Sequence, residues 1–94
     1  MSLITLEEIK AAREALPDVI RRPPILPLSR DSAEVGQEKL FLKAENLQVT
    51  GAYKVRAAFT MMNAIEPERL KNGLVLTSSG NFAQGFAYAG ARLG

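Results

Sequence analysis

Leu74-Val75-Leu76-Thr77-Ser78-Ser79-Gly80-Asn81-Phe82 decides how this chain is expected to fold. Three consecutive apolar residues follow the turn pair Asn72-Gly73 and show none of the alternation of a strand with one wet face. They read as an interior parallel strand. Small hydroxyl residues and a glycine come next, and then a stretch rich in Gly and Ala, predicted as a helix over about 81–93, with Gly94 a C-cap type of residue. Gly85, Ala87, Ala89, Gly90 and Ala91 would let that helix lie close against a sheet. A strand running straight into a helix is half of an α/β unit.

Working back towards the N-terminus, Glu66-Pro67-Glu68-Arg69-Leu70 starts a short helix, with proline at a tolerated early position. A longer helix is predicted over about 52–65. It carries Tyr53, Val55, Ala57, Ala58, Phe59, Met61, Met62 and Ile65, so it is apolar around most of its circumference and is expected to be buried on several sides. Glu45 to Gly51 reads as a loop, and Lys39-Leu40-Phe41-Leu42-Lys43 as a second strand. Asp31 to Gly36 suits a short helical turn. Pro23, Pro24 and Pro27 keep the preceding stretch extended. Thr5-Leu6-Glu7-Glu8 is a capping box that opens a helix over about 5–16, limited by Pro17. The order helix, strand, helix, strand, helix implies an α/β unit with a parallel pair. Two parallel strands stand poorly alone, so the expectation is a truncated α/β domain.

Composition narrows the chemistry. The 94 residues suffice for one small domain, and 47% hydrophobic with 23% charged residues is ordinary for a globular protein. The formal net charge of +2 comes from 12 basic and 10 acidic side chains that alternate along the chain. No basic run marks a nucleic-acid surface. There are no cysteines, so this chain offers no disulfide, zinc finger or thiolate nucleophile. There are no histidines, which removes Ser-His-Asp catalysis and nearly every transition-metal site, and no metal is expected. Acid–base work must fall to lysine, carboxylates, hydroxyls or a cofactor. No apolar stretch approaches the roughly 20 residues of a membrane span, and no signal-peptide core is evident. The expected location is cytoplasmic.

Two segments carry chemistry. Lys54 stands near the start of the apolar helix, where partial desolvation would depress an amine's pKa and suit it to attack a carbonyl. The plain alternative is a lysine snorkelling from a helix end. Arg56 lies on another face of that helix and is no simple partner for it. The turn Thr77-Ser78-Ser79-Gly80-Asn81 offers backbone N–H groups at a helix start, an anion site for a carboxylate or phosphate. The C-terminal end of a parallel strand is also where α/β ligands gather. The plain alternative there is that Ser79 or Asn81 caps the helix.

Taken together, the segments resemble a known family. Leu42-Lys43-Ala44-Glu45-Asn46-Leu47-Gln48-Val49-Thr50-Gly51-Ala52-Tyr53-Lys54-Val55-Arg56-Ala57-Ala58 resembles the cofactor-lysine segment of fold-type II pyridoxal-phosphate enzymes, and most of all that of threonine and serine dehydratases and serine racemases. Thr77 to Gly85 resembles the same family's substrate-carboxylate loop, and Arg22-Pro23-Pro24 its upstream Arg-Thr-Pro segment. The resemblance covers nearly the whole chain. It implies an α/β fragment of a parallel-sheet, three-layer domain like that of tryptophan synthase β, with residues 1–94 as the N-terminal portion of a dehydratase.

The resemblance also implies roles. Lys54 would hold pyridoxal phosphate covalently and then move protons. Tyr53 would lie beside the cofactor ring, and Asn81 would hydrogen-bond its phenolic oxygen. Ser78, Ser79, Gly80 and Asn81 would hold the substrate carboxylate. Ser79 matches the acid–base position opposite the lysine in racemases. The implied reaction removes the α-proton and β-hydroxyl of a small hydroxy amino acid, giving a 2-oxo acid and ammonia. Ala52 stands in place of a frequent serine, Ala57 in place of a glycine and Phe82 in place of a frequent histidine. The last removes a polar side chain near the substrate. The family's glycine-rich phosphate loop has no counterpart in these residues. Two further readings stand beside this one: a non-catalytic remnant that self-associates, and a small carboxylate-binding module. The expected partners are an amino-acid substrate and a second copy or the missing part of the fold, with neither nucleic acid nor membrane.

Overall fold

The computed structural model describes residues 2–27 and 40–94. The expected turn at Asp31 to Gly36, and Lys39 at the head of the expected strand, lie outside the described residues. Helix α1 (Leu6–Glu14) starts as the capping box requires. The Thr5 hydroxyl accepts from the Glu8 amide at 3.2 Å, and the Glu8 carboxylate accepts from the Thr5 amide at 2.7 Å. The helix ends two residues short of the expected Leu16. That residue precedes Pro17, whose ring disfavours helical backbone there. Helix α1 buries none of its residues, and Leu6 and Ile9 face solvent.

The sheet departs from expectation. Strands β1 (Ile25–Pro27) and β2 (Phe41–Lys43) pair antiparallel, with Ile25 opposite Lys43 and Pro27 opposite Phe41. The proline-rich stretch is extended as predicted, but it also finds a partner. Pro27 lacks a donor, yet it sits at the end of a strand where none is needed. The expected parallel pair of 39–43 with 74–76 does not form among the described residues. Leu74-Val75-Leu76 belongs to no ladder, and Val75 is 97% exposed. An apolar run becomes an interior strand only when neighbours take up its N–H and C=O groups, and no described strand lies alongside this one.

The core lies between two helices. Helix α2 (Lys54–Asn63) buries Val55, Ala58, Phe59 and Met62. Those positions are i, i+3, i+4 and i+7, one helical stripe. Met61 on the opposite face is exposed, so α2 is buried on one side and not on several. The short helix α3 (Pro67–Leu70) has proline in its first turn as predicted, and Gly73 follows at φ +82°, a left-handed conformation that glycine adopts without strain. Helix α4 (Asn81–Leu93) supplies Gly85 and Ala89 to the interior. Leu16, Val19, Ile20, Val49, Phe82, Phe86 and Tyr88 pack around this centre.

Three contacts give the sense of the helix pair. Val55 meets Gly85, the Phe59 ring meets Tyr88 edge-on with centroids 6.3 Å apart, and Met62 reaches Gly90. Residue numbers rise together along both helices, so α2 and α4 run in the same direction. Their N-termini lie at one end.

The core is small for 94 residues. The radius of gyration is 16.5 Å, against about 12 Å for a compact domain of this length. Leu3, Ile4, Ile25, Phe41, Leu42 and Val75 are all exposed. In the 94-residue chain, Phe59→Ala is expected to cost about 3–5 kcal/mol. That is comparable to a small domain's whole stability, so the cooperative thermal transition followed by circular dichroism should disappear. Val75→Thr should leave the transition within about 0.5 kcal/mol of the parent, because the side chain contacts almost nothing.

Candidate active site

The start of α2 is held by a polar clamp. Gln48 is only 3% exposed, and its side chain is fully used. Its Oε1 accepts from the Arg21 amide at 2.8 Å and from the Val49 amide at 3.0 Å, while its Nε2 donates to the Arg21 carbonyl at 2.9 Å. Arg56 donates to Glu45 Oε1 from Nε at 3.0 Å and from Nη2 at 2.8 Å, and Nη2 also reaches the Arg21 carbonyl at 3.1 Å. Charge-assisted bonds of this kind are worth about 1.5–3 kcal/mol each when partly buried. Gly51, at φ +77°, then turns the chain into the helix, its amide bonded to the Gln48 carbonyl at 2.8 Å.

Lys54 emerges from this clamp as the first residue of α2. It is half-buried, with Nζ 5.3 Å from the centre of the Tyr53 ring. The ring is itself 58% exposed. Among the described residues Lys54 takes part in no ion pair, while the neighbouring cation Arg56 is committed to Glu45. The amine is therefore left available. Helix α2 packs on one side only, so Lys54 at its start is half-buried and not enclosed.

Ser78, Ser79, Gly80 and Asn81 are exposed at the start of α4. The N-cap is Gly80, and no side chain caps the helix. Neither Ser79 nor Asn81 plays the capping role that is the plain alternative for them. Helix α2 likewise begins without a side-chain cap, and neither helix has an acidic residue in its first turn. By contrast α1 has both a cap and two first-turn glutamates. The unneutralised N–H ends of α2 and α4 lie at the same end of the pair. Each carries a partial positive charge that favours an anion. Lys54, Tyr53 and the Ser78–Asn81 turn thus lie at the same end of the helix pair.

This end is open. A cavity of about 560 Å³ lies elsewhere, lined by Arg13, Arg22 and Lys43 among others, and an apolar groove of about 460 Å³ runs beside Met62, Leu74 and Phe86. Neither includes Lys54 or the Ser78–Asn81 turn. The residues that sequence reasoning missed are those of the clamp: Gln48, and Glu45 as partner of Arg56. A buried glutamine in a loop has no periodicity to reveal it. Only the run of small residues in α4 hinted at close approach.

Known proteins are similar to this chain. The family model described as "Pyridoxal-phosphate dependent enzyme" matches residues 16–94. L-threonine ammonia-lyase of Thermotoga maritima is 42% identical over 87 residues, covering 93% of this chain and 21% of that protein. Serine racemase of Dictyostelium discoideum is 38% identical over 89 residues, 95% of this chain and 27% of that protein. A catabolic L-threonine dehydratase, TdcB, of Staphylococcus aureus is 34% identical over 92 residues, 98% of this chain and 27% of that protein. The chain spans about a fifth to a quarter of the length of these relatives. No solved structure matches it.

The clamp has a pH signature. Burial pushes the Glu45 carboxyl up, but the bonds from Arg56 and Gln48 and the charges of Arg56 and Lys43 outweigh it and hold the group below its ordinary 4.5. A lowered folded-state pKa stabilises above the unfolded value and ceases to as pH falls through the folded one. Thermal stability should therefore decline as pH drops below 4.5. Glu45→Gln should lower the melting temperature at pH 7 and flatten that decline. Melting curves between neutral and acid pH check both, with Glu8, also lowered by its bonds to Thr5, as the residual contributor.

Proposed function

The chain belongs to the pyridoxal-phosphate dependent enzyme family, and on that premise we propose that it is the N-terminal part of a cytoplasmic ammonia-lyase. That enzyme converts a hydroxy amino acid, threonine or serine, to a 2-oxo acid and ammonia. One observation carries the reading. Parallel packing of α2 and α4 brings an uncommitted lysine and an uncapped Ser-Ser-Gly-Asn turn to the same end of the structure. The names of relatives, threonine ammonia-lyase and threonine dehydratase, support the substrate class.

The residues fit the cofactor chemically. Lys54 supplies a primary amine with no ion-pair partner among the described residues, and Tyr53 an exposed aromatic face beside it. Pyridoxal phosphate, when bound, supplies an electron sink for the pair left by α-proton loss. Lys54 would hold the cofactor and serve as the base at the substrate's α-carbon. The hydroxyls of Ser78 and Ser79 and the first amides of α4 would orient the substrate carboxylate. Asn81 would help hold the cofactor by a hydrogen bond to its phenolic oxygen, and Ser79 would be a second acid–base group. The parallel sheet of the family fold is completed by chain outside these 94 residues, with Leu74-Val75-Leu76 as one of its strands. The same exposed apolar edge supports association of the chain with a second copy or with the rest of the fold.

In the complete enzyme, Lys54→Ala should abolish the borohydride-trapped pyridoxyl label and lower kcat by several orders of magnitude. A label that persists at another lysine would overturn the assignment. Ser79→Ala should raise KM for threonine more than tenfold if the turn holds the carboxylate. The isolated 94-residue chain should neither develop saturable cofactor absorbance nor turn over threonine. It should sediment as a self-associated species, and a stable monomer would count against that association.

A further inference from the structure

Two glycines in the same helix have opposite surroundings. A methyl group on Gly85 would stand 2.9 Å from both the Val55 Cα and the Val55 nitrogen, and 3.1 Å from the Lys54 carbonyl carbon. All three are main-chain atoms, which cannot swing aside. A methyl on Gly90 would stand 3.9 Å from the Met62 Cε, an ordinary contact with a flexible side chain. At Gly80, in the turn itself, a methyl would meet nothing within 4 Å. Helix α4 therefore rests directly on the backbone of α2 at Gly85, on the peptide that joins Lys54 to Val55.

We infer that Gly85 is a positioning residue that sets the distance between Lys54 and the Ser78–Asn81 turn. This rests on the function proposed above. Gly85 lies four residues, about 6 Å of helix rise, beyond Asn81. Any shift of α4 against the Lys54 peptide at Gly85 is passed along this rigid first turn to the residues that would hold the substrate carboxylate. Ordinary contact begins at 3.4 Å, so an added methyl must open the interface by at least 0.5 Å (3.4 − 2.9). A misplacement approaching 1 Å between a catalytic group and its substrate is worth up to about a hundredfold in rate. Gly85 itself touches neither cofactor nor substrate. It acts through the backbone of Lys54.

The test compares Gly85→Ala with Gly90→Ala and Ala89→Gly. The last removes a methyl from the fully buried centre of the same interface without touching the Lys54 peptide. In the 94-residue chain, acylation of each lysine is followed by mass spectrometry. Gly85→Ala should accelerate modification of Lys54 selectively, because the opened interface admits reagent, with Lys43 and Lys71 unchanged. Ala89→Gly should lower the melting temperature yet leave the Lys54 rate alone, and Gly90→Ala should leave both at or above the parent values. In the complete enzyme, Gly85→Ala should lower kcat about tenfold or more per active site. KM should move little, since the turn itself is intact. Lys54 reactivity and kcat unchanged in a folded Gly85→Ala protein would overturn the inference. So would a Gly85→Ala chain without any cooperative melt, which would make the contact a folding requirement. So would a Lys54 rate raised equally by Ala89→Gly, which would reduce the effect to stability. Failure of the dehydratase reading appears separately, as a parent enzyme in which Lys54 takes no pyridoxyl label. The lysine acylation pattern tests the placement even then.

Discussion

Helices α2 and α4 meet backbone to backbone. Where α4 crosses the first turn of α2 there is no room for a side chain, and the position is Gly85. Further along the pair the Phe59 ring meets Tyr88, and Met62 reaches towards Gly90. These contacts run in parallel order and set both helix starts at one end. Everything of chemical interest in the chain sits at that end. Lys54 opens one helix, Ser79-Gly80-Asn81 opens the other, and neither start is closed by a cap or an acidic residue.

The second support is polar and works on α2 from the other side. Gln48 sits where a core residue would, but spends its amide group on the backbone of Arg21 and Val49. Arg56 and Glu45 extend the clamp from the helix to the loop. A buried polar network with every member bonded rigidifies the segment it ties together, and a half-satisfied one is costly. No buried side-chain nitrogen or oxygen among the described residues lacks a partner. The helix that presents Lys54 is thereby fixed between a close-packed apolar face and a saturated polar one. A lysine on such a helix has a defined origin even though its own side chain is partly free.

Much of this is legible in the residues and some is not. The Thr5–Glu8 box announces α1, because capping is a local interaction between neighbours in sequence. The apolar residues of α2 and the small residues of α4 announce two helices, the second expected to lie against a sheet, whereas it packs on α2. Residue type and position pick out Lys54 and the Ser78–Asn81 turn, and the parallel packing of α2 and α4 sets the two helix starts that carry them at one end. Strand pairing is another matter. It depends on which backbone lies alongside, so Leu74-Val75-Leu76 reads as an interior strand and has no ladder, while Ile25-Leu26-Pro27 reads as merely extended and pairs with β2. The clamp is hidden for the same reason: Gln48 and Arg21 are 27 residues apart. The expected burial of α2 exceeds the observed burial because an apolar circumference states what a helix can bury and says nothing of what lies beside it.

Side-by-side helices that run in one direction have a cost that antiparallel neighbours avoid. Each N-terminus carries about half a positive charge. At an interaxial distance of about 10 Å and an effective dielectric near 20, two such ends repel by roughly 0.4 kcal/mol. With no acidic side chain in either first turn, nothing within these helices offsets it. A negatively charged guest at that end does two things at once: it binds to both ends and cancels their repulsion. Folding of the helix pair and occupancy of the site are then linked quantities, and an anion that fits the turn is also a stabiliser of the fold.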